Sequence, residues 1–448
     1  MKSQELYPLT ADRAHGDARR VKNDDLAGAR AAGTHEILDG YADRSWRFLA
    51  ELQRSNGMEF VIGEARGSHI WNIEGDRRVL DCGNSGGVHS LGHRNPELLA
   101  ALHAALERYD AGIWTMPTAQ ALELQDALSA ISPVPDTRAV ITLSSTDSMD
   151  LAVMFARRFT GRSKVAAYRH GYHGHGGFAA LITGSDSEGV LNYYSLPRSQ
   201  TGFFPEYDSL DAIRPVIDED CAAVVLEPIN FETFKPASTE FLPALAVLCR
   251  QAGALLIIDE TRTGLSRSGR PIMTSRYGIA PDMLILGKGL GGGLYPVSAL
   301  LASKAVYERC MNEGWGFMSS MAGSPIGLTV AAKVVEIIQR PELLENVARL
   351  EHLLAERFHA LCERFPSVFF PAWVLGGMAS IGVRGESAAR VVRSELFKRG
   401  VLCHSVSEIE PRVVKLMPCL TSGDEVVDEL AETLASFATD FSHSRIHA

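Results

Sequence analysis

Lys288 follows the apolar run Met283–Leu286 and sits in GKGLGGG, with Gly287 and Gly289 on either side and Gly291, Gly292 and Gly293 beyond. Burial at a strand end lowers a lysine pKa, because the ammonium loses its hydration. The neutral amine can then attack a carbonyl and hold it as a Schiff base. The glycines are expected to admit a flat ring close to the backbone. A surface lysine in a glycine-rich loop has the same local pattern, so this segment alone leaves both readings open.

A carboxylate stands at the end of a second apolar run. ALLIIDE (254–260) carries Asp259 behind five apolar residues. A buried carboxylate needs a cationic partner. A pyridinium N–H would serve, as would Arg262 or Arg267, and a helix N-terminus would also account for the residue. ITLSSTDSMDLAVMFARRF (141–159) reads as a strand, a small-residue turn and an amphipathic helix. Its hydroxyls and backbone N–H groups suit a phosphate, or they serve as helix caps. YRHGYHGHGG (168–177) sets Tyr172 and His173 among glycines, where the aromatic ring can stack on a flat cofactor. His170, His173 and His175 lack acidic or cysteine ligands at metal-binding spacing, so no metal site is expected.

These residues need a scaffold, and the chain alternates short apolar runs with helical stretches from Pro96 onward. The runs are AVITL (139–143), KVAAY (164–168), AAVVLEP (222–228), ALLIIDE, DMLILG (282–287) and VSALLAS (297–303). Such alternation predicts an α/β fold, a mostly parallel sheet with helices on both faces. Sites in these sheets lie outside the carboxyl ends of the strands. Ser144–Asp147, Glu227, Asp259–Arg262 and Lys288 all fall there. Upstream, Leu38–Leu52 has helical spacing, and GSHIWNIEGDRRVLDCG (67–83) reads as a hairpin turning at Glu74–Asp76. Residues 331–361 form one long helical pattern. MASIGV (378–383) and VVKLMP (413–418) then suggest strands of a smaller C-terminal unit.

The formal net charge is −10, which argues against bulk binding to nucleic acid or to an anionic membrane. No uncharged apolar run approaches membrane-spanning length. The seven cysteines are scattered without a CxxC and are read as reduced packing residues of a cytoplasmic protein.

Taken in order, strand–SSTD–helix, YHG, EP, DETRTG and GKGLGGG resemble the class III aminotransferases. These are fold type I enzymes dependent on pyridoxal 5′-phosphate (PLP), a family that includes ornithine and 4-aminobutyrate aminotransferases and glutamate-1-semialdehyde aminomutase. The resemblance spans about Gly67–Leu420. It implies a large PLP-binding domain (96–332) with a seven-stranded sheet. It also implies a smaller α+β domain from both chain ends (36–95 and 333–448) and an N-terminal arm (1–35). Lys288 would be the Schiff-base lysine and proton shuttle, and Asp259 the partner of the pyridinium nitrogen. Tyr172 and Thr261 would flank the ring, with His173 and Glu227 nearby. Ser145 and Thr146 would hold the phosphate, and Ser320 in SSMAGSP (319–325) would reach the phosphate of a neighbouring subunit, which requires a homodimer with shared sites.

Several positions depart from the family pattern. Ser145 replaces a glycine at the phosphate turn. Arg262 replaces a glutamine near the cofactor's phenolic oxygen, where it can affect the ring or turn to Asp147 or Glu260. EPINFETFKP (227–236) replaces a glycine-bearing loop but keeps Glu232 at the place of a gating glutamate. Lys415 replaces the arginine that binds substrate carboxylate, a role for which Arg412 is the other candidate. The expected reaction is transfer of an amino group between an amine or amino acid and an oxo acid or aldehyde. An aminomutase or racemase on the same scaffold, or a non-catalytic protein that keeps the fold, are the competing readings.

Overall fold

The structure is a computed structural model and describes residues 33–112, 116–184, 200–313, 316–385, 388–404 and 410–446. The expected N-terminal arm falls almost wholly outside these residues. The helical spacing of Leu38–Leu52 resolves into two helices, Thr34–Arg44 and Arg47–Ser55, broken at Ser45–Trp46.

Three antiparallel strands follow: β1 (Ile62–Arg66), β2 (His69–Asn72) and β3 (Arg78–Cys82). β2 and β3 form the expected hairpin. β1, with most of its residues exposed, has no apolar run to announce it.

The central sheet is built from β4 (Arg138–Thr142), β5 (Lys164–Tyr168), β6 (Thr201–Phe204), β7 (Cys221–Leu226), β8 (Leu255–Asp259), β9 (Met283–Leu286) and β10 (Ser298–Ala302). Its order is β4-β10-β9-β8-β7-β5-β6, and only β10 runs antiparallel to its neighbours. Every residue of β7, β8, β9 and β10 is buried, as required of strands covered on both faces. The edge strand β6, TGFF, is short and carries a glycine, which hides it from a search for apolar runs.

The long helical pattern at 331–361 is two helices, Pro325–Ile337 and Pro341–Arg364. Pro341 cannot continue a preceding helix, but its fixed φ suits the first turn of a new one. Beyond it lie β11 (Phe369–Leu375), β12 (Met378–Val383), β13 (Val401–Cys403) and β14 (Val413–Leu416). β11, β12 and β14 form an antiparallel sheet, whereas β13 joins β3 in parallel. One core packs Leu80 and Cys82 of β3 with Leu350, Ile381, Val401 and Leu430, so both ends of the described chain share a hydrophobic interior. All seven cysteines are buried and unpaired. Among the described residues no helix is long and apolar enough to cross a membrane.

Two polar devices lock the sheet ends that carry the candidate residues. Hydroxyls run from Thr142 to Ser148 (2.8 Å) to Ser298 (2.9 Å), and Ser298 Oγ donates to the Leu286 carbonyl (2.6 Å). They pin the N-terminus of helix Ser145–Thr160 beside the end of β9. The carboxylate of Glu260, next to Asp259, is buried and accepts from the backbone N–H groups of Met273 (2.8 Å) and Thr274 (2.6 Å) and from the Thr274 hydroxyl. Glu260→Ala is expected to lower the unfolding free energy by about 2–5 kcal/mol, since each buried donor left unpaired costs ~1–3 kcal/mol. Denaturant unfolding of the variant checks this, and a change within experimental error would show Glu260 to be dispensable.

Candidate active site

Lys288 sits just past β9 with φ +45°, a left-handed conformation uncommon for a residue with a side chain. The turn carries its amine towards the loop after β3. A Cβ on Gly86 (φ +68°) would lie 3.2 Å from both Lys288 Nζ and His404 Nε2. Gly86 therefore leaves the space in which the amine and the imidazole converge. Burial lowers the Lys288 amine to about 8, and the Arg262 guanidinium adds to this, while Asp259 and Glu227 pull in the other direction.

The glycines after Lys288 are also needed for packing. A Cβ on Gly289 would meet the Gly87 carbonyl at 3.1 Å, and one on Gly292 would meet Leu98 at 2.4 Å. On Gly293 (φ +70°) it would strike the His89 ring at 2.4 Å. These glycines pack the lysine turn against its neighbours, and Gly293 also lines the cavity beside Lys288.

Asp259, at the end of β8, is 5% exposed. Its Oδ2 lies 2.8 Å from His173 Nδ1, and its Oδ1 accepts the Thr261 backbone N–H at 3.0 Å. Burial alone would raise this carboxyl, but the hydrogen bond and charge of His173 and the Thr261 contacts hold it below the ordinary value. Neither arginine weighed as its partner takes that place. Arg267 is fully buried and donates to the carbonyls of Gly377 and Pro418 and to Ser90 Oγ, so it ties β8's loop to the chain's C-terminal part.

Arg262 turns to neither Asp147 nor Glu260. Its Nη1 lies 3.6 Å from Glu227 Oε1, too long for a hydrogen bond, and has no other hydrogen-bond partner among the described residues. Its guanidinium packs 3.6 Å from the centre of the Phe231 ring and 5.1 Å from that of Tyr172. Glu227, just past β7, is buried, accepts the Tyr172 N–H at 3.2 Å, and is raised by that burial. Asp147 is held in a capping box with Ser144, which leaves capping to those two residues. Ser145, next along, lines a cavity of about 390 Å³ with Ser144, Lys288 and Tyr295. Thr146 lies against Gly174, whose missing side chain permits the approach.

The other candidate positions are spread over the structure. Arg412 is exposed on the outer side of the small sheet, 3.1 Å from Glu410 and beside Phe370, and does not reach the cleft. Its place just before β14 puts it on the strand face opposite Lys415. Lys415 is 1% exposed, so it is not a solvated lysine; its Nζ donates to the Phe231 carbonyl (3.1 Å) and lies 4.0 Å from the Phe231 ring centre. Ser320 is exposed on the surface, its backbone beside Gly112. The three histidines of 168–177 diverge: His173 faces Asp259, His175 lies against Tyr172 and His170 against Tyr168. Among the described residues no group of three or more potential ligands could hold a metal. Phe231, Gly86 and His404 were not singled out from sequence. Phe231 was visible only as a departure from a loop pattern, and His404 only as a polar residue closing the short run VLC.

The group that fits this arrangement is planar and anionic, with a ring nitrogen and a carbonyl. It would use the amine of Lys288, the carboxylate of Asp259, a helix N-terminus with Ser145 for a phosphate, and buried polar atoms without partners at His173 Nε2 and Arg262 Nη1. The comparisons agree. The crystal structure of ornithine aminotransferase from Toxoplasma gondii ME49 matches with a TM-score of 0.83 at 20% identity, covering 94% of this chain and 98% of that one. The family model Aminotransferase class-III matches residues 52–437. An uncharacterised aminotransferase of Archaeoglobus fulgidus is 30% identical over 407 residues, 90% of this chain and 94% of its own. A LysW-aminoadipate semialdehyde/glutamate semialdehyde transaminase of Sulfolobus acidocaldarius is 31% identical over 390 residues, 86% and 96% respectively.

Fold and strand-end chemistry together define a fold type I enzyme dependent on PLP. More narrowly, the chain belongs to the class III aminotransferase family.

The Lys288 amine sets a pH dependence. Only the neutral amine is nucleophilic, so capture of PLP by apoenzyme should speed up as pH rises through about 8 and level off above it. Arg262→Ala removes a neighbouring cation, stabilises the ammonium and should move that midpoint upward. Stopped-flow absorbance across pH reads both, and an unshifted midpoint in the variant would separate Arg262 from the amine.

Proposed function

We propose that Lys288 and Asp259 are the working residues of this aminotransferase, which moves an amino group between an amine or amino acid and an oxo acid or aldehyde. The observation that carries the reading is their convergence: a half-buried lysine whose amine is lowered to about 8 and a buried carboxylate stand at the ends of adjacent strands β9 and β8. When bound, PLP supplies an electron sink for the charge left on a carbon that loses its proton. Lys288 Nζ would hold the cofactor, and as a free amine it would take that proton from the substrate carbon and return it. Asp259, oriented by His173, would accept the ring N–H. Ser145, Thr146 and the helix N-terminus would hold the phosphate. Tyr172 and Thr261 would lie beside the ring, and Glu227 balances the charge of Arg262.

The names of the relatives, including acetylornithine aminotransferases and semialdehyde transaminases, support an amino-acid donor and favour transamination over mutase or racemase outcomes. We also assign residues 96–332 to the large domain and 36–95 with 333–448 to the small one. The unpaired thiols suit a cytoplasmic enzyme. A homodimer is supported by the exposed Met116, Met318 and Met321, at 70%, 66% and 47%, which surround Ser320 in sequence or across the same surface cavity. Ser320 would then meet the cofactor of the other subunit.

Borohydride treatment of holoenzyme followed by peptide mapping should fix a pyridoxyl group on Lys288, and an adduct elsewhere refutes the assignment. Lys288→Ala should still bind PLP and lose turnover by about 10²–10⁴-fold or more, the typical worth of proton transfer by a positioned group.

Sedimentation should show a dimer. Met318→Asp should shift it towards monomer and weaken PLP retention in parallel. Full retention by a monomer would remove Ser320 from the site.

A further inference from the structure

The loop Ile229–Pro236 is not built to move. Its ends pair as a β-bridge between Ile229 and Pro236. Asn230 N–H donates to the Lys235 carbonyl (2.8 Å), and Phe234 N–H to the Asn230 carbonyl (2.9 Å). The Asn230 side chain accepts from the N–H groups of Glu232 and Thr233, an Asx turn. Phe234 adopts φ +60° and buries its ring in the core, and Ser380 donates to the Thr233 carbonyl. A loop fastened at both ends, by its own backbone and by a core aromatic, holds Phe231 in one place.

What Phe231 does there follows from its neighbours. Two cations lie against its ring, the Arg262 guanidinium at 3.6 Å and the Lys415 ammonium at 4.0 Å from the centre. Cations near an aromatic face are attracted to it, more strongly when desolvated. The Lys415 ammonium is held on one side by the Phe231 carbonyl and ring, with Phe234 at 5.8 Å, and is almost wholly out of water. Phe231 itself is only half-buried, unlike the lysine behind it. It also lies 5.7 Å from the His404 ring, whose Nε2 shares with Lys288 Nζ the space left by Gly86. The aromatic ring thus stands between the reacting lysine's surroundings and the buried ammonium.

We propose that Phe231 is a specificity-determining residue that walls Lys415 off from the cleft. The substrates that fit are amines, amino acids and aldehydes or 2-oxo monoacids whose part facing Phe231 is apolar or aromatic, and 2-oxo diacids are excluded. Lys415 is then a positioning residue that acts through Phe231 and touches no substrate carboxylate. The inference rests on the aminotransferase reading above.

The test uses PLP-loaded holoenzyme and calorimetric binding of glutarate, a diacid that cannot react, beside KM values for 2-oxoglutarate and pyruvate. Wild type should bind glutarate weakly, and Lys415→Met should leave that binding unchanged. Phe231→Gly should bind glutarate on the order of 10-fold tighter, as expected when a charge is uncovered for a carboxylate, and lower KM for 2-oxoglutarate but not for pyruvate. Phe231→Gly/Lys415→Met should lose the gain. Phe231→Ala guards against a loop loosened by glycine and should show the same direction. Tight glutarate binding by wild type, loss of that binding in Lys415→Met alone, or a gain that survives removal of Lys415 each overturns the proposal. A wild type without the visible band of bound cofactor would instead refute the underlying reading, so the two failures are distinguishable.

Discussion

Removing an ammonium or carboxylate from water costs several kcal/mol per ion, even after the protein relaxes. The strand ends of the central sheet, together with β14 of the small sheet, bring three cationic side chains, Lys288, Arg262 and Lys415, close to three carboxylates, Asp259, Glu227 and Glu232. No pair among them forms a tight ion pair: Arg262 and Glu227 stand 3.6 Å apart, and Lys415 rests on a carbonyl and a ring. Charge is balanced over the group and not within pairs. That arrangement leaves the Lys288 and Lys415 amines depressed to about 8 by burial. It also leaves donors and acceptors such as Arg262 Nη1, His173 Nε2 and Glu232 Oε2 without hydrogen-bond partners among the described residues. Buried polar atoms are normally satisfied, and exceptions in a cleft mark where a ligand completes the network.

The scaffold is organised to sustain this cost. Fully buried strands β7, β8 and β9 fix the backbone at three successive carboxyl ends, and the hydroxyl chain through Ser148 and Ser298 sets the helix N-terminus against β9. Glu260, next to Asp259, and Arg267, further along the same loop, are buried anchors that hold loop backbone by hydrogen bonds. One short stretch, Asp259–Arg267, therefore supplies a candidate catalytic group, a ring neighbour and two structural polar centres.

Much of this could be read in the sequence because burial on both faces writes continuous apolar runs. β5 and β12 match their runs residue for residue, and the candidate residues Glu227, Asp259 and Lys288 stand at the ends of the buried runs of β7, β8 and β9. What escaped had no such signature. β6 is four residues with a glycine, and β1 is mostly exposed. The helix break at Ser45–Trp46 has no proline or glycine to announce it. The glycines after Lys288 were legible as glycines, but whether a missing Cβ faces a ligand or a protein atom depends on tertiary packing. Lys415 alternates with apolar neighbours on β14, a pattern shared by solvated and buried lysines, and only the rings of Phe231 and Phe234 decide between them.

The same reasoning bears on how a family scaffold changes its substrate. A glycine-bearing loop can yield to a ligand, and an arginine behind it can grip a carboxylate with two parallel hydrogen bonds. Replacing the arginine by lysine alone would leave a point charge with weaker geometry, still reachable from the cleft. Replacing the glycines by an aromatic alone would bury an arginine whose five donors a single ring and carbonyl could not satisfy. The two changes are compatible with each other where neither is comfortable by itself: a lysine needs fewer acceptors, and Phe231 provides both a carbonyl and a ring face for it. Arg262 then occupies the other cationic position on that ring, with its Nη1 left without a hydrogen-bond partner. On physical grounds the wall, the lysine and the arginine form one unit, so a substitution at any one of them alters the energetic context of the other two.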